Sequence, residues 1–303
     1  MNNCPAAPKY KYVLVSPARN EESLIEQCLQ TVVNQTVQPS KWVIVSDGST
    51  DQTDAIILQY ARQYPFITLL PIRNNDGFYY ARRVHVVNQG IRFLEANEYD
   101  YLGVLDVDIT MERDYYERVI HQLEQNPRLG IAGGIYIEYH QGRERKILHT
   151  EEHIPGALQL FRRQCLKEVR YYPVIQFGGD DTVIEAMARM KGWETRSFHD
   201  IRVVHHRPLG MGSQRNHLIR RFKQGMAEYE IGSHPLFVVI KNLRYSRLMM
   251  KPYILGSLCP LIGYMYATIK GIQRSVSDEF VKYWQNEQMQ KLQRTLNFIR
   301  VKS

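Results

Sequence analysis

Four runs in the N-terminal third of the chain are too apolar for either face to meet water: Tyr12-Val13-Leu14-Val15-Ser16, Trp42-Val43-Ile44-Val45-Ser46, residues 67–70, and residues 101–105. Such β-branched runs belong to strands buried on both sides, which occur in sheets covered by helices. The stretches between them keep a helical period. Leu24, Ile25, Cys28, Leu29 and Val32 recur at that spacing over residues 21–33, with Asn20 placed as a helix cap. The turn Asp47-Gly48-Ser49-Thr50-Asp51 then passes into a helix expected to reach Tyr64. Alternating strands and helices predict an α/β fold with a mostly parallel central sheet flanked by helices.

Composition narrows the class further. A chain of 303 residues with 44% hydrophobic and 23% charged side chains can bury a large core, which excludes a disulfide-stapled miniprotein and a disordered tail. Cys4, Cys28, Cys165 and Cys259 lie far apart with no Cys-x-x-Cys spacing, as expected in a reducing, cytoplasmic setting. The first residues show neither the basic nor the long apolar segment of a secretory signal. The net charge of +8 is unevenly spread. Residues 200–303 hold 17 Lys and Arg against 6 Asp and Glu, whereas residues 1–199 hold 22 against 25. A slightly acidic body with a basic end points to an anionic surface met by one part of the molecule rather than to nucleic acid.

Two strand ends carry carboxylates. Asp47 closes the second apolar run, and Asp106 and Asp108 close the fourth in Leu105-Asp106-Val107-Asp108. In open α/β sheets, ligands bind beyond the carboxyl ends of the strands. Alternate residues of an extended chain share a side at a separation of about 6–7 Å. Two carboxylates so placed repel one another, and a divalent cation removes that cost. A lone Asp47 is better explained as a turn former or helix cap.

In this order the motifs resemble family 2 glycosyltransferases, which have the GT-A fold. Ser16-Pro17-Ala18-Arg19-Asn20-Glu21-Glu22 is similar to the family's Pro-x-x-Asn-Glu opening. Val43-Ile44-Val45-Ser46-Asp47-Gly48-Ser49-Thr50-Asp51-Gln52-Thr53 resembles its Asp-Asp-Gly-Ser strand end, and Asp106-Val107-Asp108 its Asp-x-Asp. Gly178-Gly179-Asp180-Asp181-Thr182 resembles the Glu-Asp element that supplies the catalytic base, with Asp at 180 where the family usually has Glu. Val203-Val204-His205-His206-Arg207 resembles its late strand ending in His. Five elements in family order are far more specific than any one alone.

The resemblance implies an inverting, metal-dependent transfer of one sugar from a nucleotide-sugar donor to a hydroxyl of a glycan or lipid-linked acceptor in bacterial surface polysaccharide synthesis. Asp108 is then the expected ligand of Mn2+ or Mg2+, and Asp106 a contact to ribose or donor sugar within reach of the ion. His205 is the first choice for a second ligand and His206 the alternative, since successive strand residues face opposite ways. Asp181 is the expected general base, with Asp180 beside it at the opening of a helix over 180–190 that Gly192 ends. Pro17, Arg19, Glu21 and Asp47 are expected to line the nucleotide pocket. Asp47 favours a UDP-sugar, although thymine and guanine also offer an N–H. Arg82 or Arg83, in a stretch starting at Asn74 that is longer than the family's counterpart, is a candidate phosphate contact. Arg207 opens an expected mobile lid over 207–213 that would meet the pyrophosphate.

The expected division is a sugar-transfer domain over 1–230 and a helical membrane-associating extension over 231–303. Within 235–251 the cations Lys241, Arg244, Arg247 and Lys251 fall on one helical face beside apolar residues, the pattern of a helix lying on anionic lipid at the inner face of the plasma membrane. Residues 252–269 carry no formal charge, but Gly256, Pro260 and Gly263 favour an interfacial or re-entrant hairpin over a span. Residues 277–302 read as a polar amphipathic helix. The Gln-x-x-Arg-Trp element of processive synthases is absent, which implies single addition. Two alternatives stand beside this reading: a nucleotidyltransferase on a related sheet, and a non-catalytic nucleotide-binding scaffold at a membrane.

Overall fold

The computed structural model describes residues 10–72, 80–140, 143–146, 150–207, 217–246 and 253–302. In chain order its elements are β1 (Tyr12–Ala18), α1 (Ile25–Val33), β2 (Lys41–Asp47), α2 (Thr53–Gln63), β3 (Ile67–Ile72), α3 (Tyr80–Leu94), β4 (Tyr101–Val104), β5 (Ile109–Met111), α4 (Tyr115–Gln125), β6 (Leu129–His140), β7 (Arg143–Lys146) and β8 (Leu160–Arg162). There follow α5 (Arg163–Val169), α6 (Asp180–Met190), β9 (Glu194–His205), α7 (His217–Glu230), α8 (Pro235–Ser246), α9 (Tyr253–Ile269) and α10 (Asp278–Lys302). The chain forms two compact units, each counted over its described residues: Met1–Gly77, Arg83–Tyr172 and Lys191–Pro208 in the first, and Phe78–Arg82, Pro173–Met190 and Leu209–Ser303 in the second.

The first unit is built on a sheet with strand order β3-β2-β1-β4-β8-β6-β9-β5, with β7 paired to β6. The four apolar runs are its parallel strands β3, β2, β1 and β4, with Leu14 opposite both Trp42 and Gly103. Val13, Leu14, Val15, Trp42, Val43, Ile44, Val45 and Leu102 are fully buried. Each such side chain contributes about 1.5–3 kcal/mol through burial. The indole N–H inside this stack is satisfied, since Trp42 Nε1 donates to Ser16 Oγ at 2.9 Å. Because these strands are parallel, β1, β2 and β4 deliver Ala18, Asp47 and Asp106 to the same edge of the sheet. On the other side β5 runs antiparallel to β9, with Ile109 opposite His205. That register brings the chain around Asp108 beside His205 and His206.

Asn20 is not a helix cap. Its backbone is left-handed (φ 53°), and α1 begins at Ile25 after a turn in which Leu24 N and Ile25 N donate to Glu21 O. The side chain works between loops instead. Asn20 Oδ1 accepts from Thr50 N at 2.8 Å, while Glu22 Oε2 accepts from Gln52 N at 3.0 Å and Thr53 Oγ1 accepts from Glu21 N at 2.7 Å. The two loops that follow β1 and β2 are thereby zipped together.

The second unit is helical. Ile175, Val183, Ala186, Ile231, Phe280 and Trp284 form its core, joining α6 and α10. Arg189 of α6 makes two 3.0 Å hydrogen bonds to Glu287 of α10. Residues 253–269 form one helix rather than the expected hairpin. Pro260 lacks an N–H and so leaves Gly256 O without its helical donor. Arg221 Nε supplies the replacement at 2.9 Å. Among the described residues, no helix is long and apolar enough to cross a membrane.

Candidate active site

The carboxylates beyond β4 stand in a field of cations. Asp108 is buried, and its Oδ2 lies 3.6 Å from His205 Nε2 and 3.8 Å from Arg207 Nη1. Burial pushes the Asp108 carboxyl up, but the hydrogen bond and charge of His205, together with Arg207, outweigh it and hold the group below the ordinary carboxylate range. The same exchange acts on the imidazole. Burial lowers His205, yet its contacts with Asp108 and Glu138 prevail and raise it. His205 Nδ1 lies 3.4 Å from Glu138 Oε1, and Tyr136 stacks on the ring at 4.9 Å. His205 is thus oriented from both nitrogens and one face.

His206 points elsewhere. Its N–H donates to Asp108 O at 3.0 Å, and its Nε2 lies 2.8 Å from Thr110 Oγ1. The two histidines therefore divide as alternate strand positions should, with His205 at the Asp108 carboxylate. Asp106 is held by Arg83, whose Nε and Nη2 donate to Oδ1 at 3.2 and 2.8 Å. Arg82 is buried and clusters with the second unit, so of the two arginines considered from sequence it is Arg83 that meets this site. Arg207 is engaged by both oxygens of Glu21, a pairing that joins the loop after β1 to the end of β9. In this state it is matched to a carboxylate rather than left for the pyrophosphate expected from sequence. Asp47 is buried at the end of β2, with Arg19 Nη1 3.6 Å from its Oδ2, and Pro17 lies in β1 opposite Val45. Residues 208–213 of the expected lid, and the stretch from Asn74 through Tyr79, lie outside the described residues.

Asp108 Oδ1 is buried with no hydrogen-bond partner. An ionised carboxylate oxygen in that condition costs about 1–3 kcal/mol or more. A divalent cation at Asp108 would remove that cost, and an Asp–His pair offers oxygen and nitrogen donors that suit Mn2+. Among the described residues no three acidic, His or Cys side chains form a complete metal cage.

Asp180 and Asp181 open α6 in the second unit, after Gly178 and Gly179, both at φ 98°. Side chains rarely adopt that backbone conformation, so the two glycines set the approach to the helix. Asp181 Oδ1 accepts from Thr182 N at 2.7 Å. The strand of chain before it is fixed by Glu230, a buried residue at the end of α7. Its Oε1 accepts from Gln176 N at 2.8 Å, its Oε2 from Phe177 N at 3.1 Å, and Ser275 Oγ also donates to it.

Sequence reasoning did not single out Glu138, Thr110 or Glu230. Glu138 had a readable signal, an acidic residue between the apolar run Ile135-Tyr136-Ile137 and Tyr139, which burial makes costly unless it is paired. Glu230 had none, because its partners lie more than forty residues away along the chain.

The model of the glycosyl transferase family 2 matches residues 13–180, more than half of the chain. The chain belongs to that family. The matched stretch takes in β1 from Val13 onward, both loop motifs and the Asp106–Asp108 strand end. A poly-beta-1,6-N-acetyl-D-glucosamine synthase of Staphylococcus epidermidis is 26% identical over 172 residues, covering 50% of this chain and 40% of the relative. The minor teichoic acid biosynthesis protein GgaB of Bacillus subtilis is 22% identical over 200 residues, covering 60% of this chain and 21% of the relative. The chain spans less than half the length of both. Among solved structures, the mannosyltransferase PcManGT of Pyrobaculum calidifontis, in complex with GDP-Man and Mn2+, has a TM-score of 0.54 at 17% identity over 87% of this chain and 76% of that one. S. aureus TarS 1-349, in complex with UDP-GlcNAc, has a TM-score of 0.54 at 14% identity over 90% of this chain and 78% of that one. At these identities the likeness establishes the α/β fold of the GT-A kind.

Proposed function

We propose that this chain moves one sugar from a nucleotide-sugar donor, a UDP-sugar in preference, to a hydroxyl of a glycan or lipid-linked acceptor in bacterial surface polymer synthesis. The reaction is inverting and metal-assisted. Family membership supports the sugar transfer. The names of the two curated relatives support a surface glycan or teichoic acid as the setting. UDP-GlcNAc in TarS supports the donor class, while GDP-Man in PcManGT keeps guanine in play.

The observation that carries the metal-assisted reading is the buried, unpartnered Asp108 Oδ1 beside His205. These two residues would hold Mn2+ or Mg2+, with Asp106 within the same strand end. A bound ion there neutralises the negative charge that gathers on a departing nucleoside diphosphate. The protein's residues do the rest. Asp47 accepts from the nucleobase imide. Arg83 and Arg207, now paired to Asp106 and Glu21, exchange those carboxylates for phosphate oxygens, which Arg matches in geometry. Asp181 takes the proton from the acceptor hydroxyl as its oxygen bonds to the anomeric carbon and the bond from that carbon to the diphosphate breaks.

A thermal-stability screen across UDP, GDP and dTDP, with and without Mn2+, tests this reading. The expected result is stabilisation by UDP that requires Mn2+ and is absent in Asp108→Asn. Stabilisation of the same size without metal, or in the variant, would contradict it.

A further inference from the structure

The helices α7, α8 and α9 of the second unit reverse the usual polarity of a water-soluble bundle. On α9, Gly256, Pro260, Gly263 and Ala267 share one face, and that face packs on α7. The approach is so close that a Cβ on Gly263 would stand 2.0 Å from Phe222 O, and one on Gly225 1.9 Å from Pro260 O. The opposite face carries Leu258, Ile262, Met265, Tyr266 and Ile269, all exposed, up to 61% at Met265 and 81% at Ile269. The helix thus turns its small residues inward and its large apolar ones out.

On α8 the same inversion holds. Leu236, Val239 and Leu243 are exposed, whereas Asn242 is 4% exposed beside the buried Val238, and Lys241 is paired with the buried Glu228. Lys241 is therefore not part of an outward basic stripe, while Arg247 and Lys251, two other members of that expected stripe, lie outside the described residues. Polar contacts join the buried Val238, Met226 and Ala227 on the inside. Arg221 Nη2 donates to Asn242 Oδ1 at 3.1 Å, and Tyr264 OH donates to Ser233 O at 2.9 Å. Small residues between helices, polar groups within and large apolar side chains outside form the packing pattern of helices that face lipid.

We propose that the outer faces of α8 and α9 insert into one leaflet of an anionic bilayer, with the helices lying in the interface and not crossing it. The occupant follows from charge as well as from apolar surface. Over residues 217–277 the sequence has nine Lys and Arg and two acidic residues, Glu228 and Glu230. Both acids are buried, so carboxylates are missing from the outer surface of this segment. Lys270 and Arg274 are exposed just beyond the apolar face, with Lys270 over the ring of Tyr266. Cations bordering an apolar helix face match acyl chains below and anionic headgroups above. Within residues 217–277 the exposed charge is of one sign, which works against two copies packing through this face. The inference is independent of the donor chemistry above and does not rest on it.

Flotation of the full chain with vesicles tests the proposal. The chain is expected to float with mixed phosphatidylglycerol and phosphatidylcholine vesicles, and to bind phosphatidylcholine alone more weakly. Ile262→Glu combined with Met265→Glu should lower vesicle affinity by about tenfold or more, since both positions exchange apolar burial for a charge. Both positions face outward, so the thermal midpoint and nucleotide binding should stay as in wild type. Lys270→Glu with Arg274→Glu should weaken binding to anionic vesicles only. A chain that stays unbound with either vesicle, or a double Glu variant that floats like wild type, would overturn the proposal. So would a dimer in solution that the Ile262→Glu change dissolves in the absence of any vesicle binding; that result would assign the face to a second copy.

Discussion

The two units solve opposite problems with the same residue types. In the first, apolar side chains fill the sheet and charged ones gather at its rim, where Arg83 holds Asp106, and His205 and Arg207 stand beside Asp108, whose buried Oδ1 is left without a hydrogen-bond partner. In the second, α7–α9 draw charged and amide groups inward, as in Lys241–Glu228 and Arg221–Asn242, and turn Leu243, Ile262 and Ile269 outward. The difference teaches that a polar group is informative when its surroundings leave it unfinished, and an apolar group when its surroundings leave it uncovered. The first condition marks Asp108. The second marks the outer faces of α8 and α9.

The comparison can be broken most sharply at the proposed chemistry. Asp181→Asn should lower kcat for sugar transfer by about 10²–10⁴-fold while leaving Mn2+-dependent nucleotide binding intact, as measured by steady-state kinetics beside calorimetry. A loss of binding with turnover per bound donor preserved would place Asp181 outside the proton transfer. Asp108→Asn comes next, with an expected fall of about 10²–10³-fold in turnover and an equal melting temperature in metal-free buffer. If the variant melts well below wild type, the carboxylate is a structural element of the strand end.

Stability separates the two units at a smaller scale. Glu230→Ala leaves two part-buried hydrogen bonds, from the N–H groups of Gln176 and Phe177, without their charged acceptor. Denaturant unfolding should show a loss of about 2–4 kcal/mol. Ile262→Ser, on the outward face of α9, should cost less than about 0.5 kcal/mol, in contrast to any comparable change at the fully buried Ile44.

The smallest effect is a pH dependence. Burial raises Glu287, but Arg189 and Lys291 outweigh it and hold its carboxyl below the ordinary range. A group with a depressed folded-state pKa adds stability that is full above its unfolded value, about 4.3, and is lost as pH falls through the lower folded value. Glu287→Gln should therefore flatten the acid limb of the stability profile and leave the slope near neutrality alone.

What the sequence made legible was local. The β-branched runs announced strands buried on both faces, and the carboxylates that ended them had nowhere to go except the rim. The order of motifs from Pro17 to Arg207 led to the same family that the match over residues 13–180 shows. Asn20 misled because a capping residue and a left-handed loop residue draw on the same chemistry, and only the approach of Thr50 decides between them. Glu138 and Glu230 depend on partners far along the chain, whose arrival no local pattern announces. Lys241 shows the limit of helical spacing. The period groups residues onto a face but does not say which face turns inward, and the buried Glu228 on the neighbouring helix settled that here.

The most direct test of the account is anomalous diffraction from crystals of this chain grown with UDP and Mn2+. The account predicts a manganese peak bound by Asp108 Oδ1 and His205 Nε2, with diphosphate oxygens completing its shell. A peak remote from Asp108, or nucleotide bound in that pocket with Asp108 Oδ1 still without a partner, would contradict it.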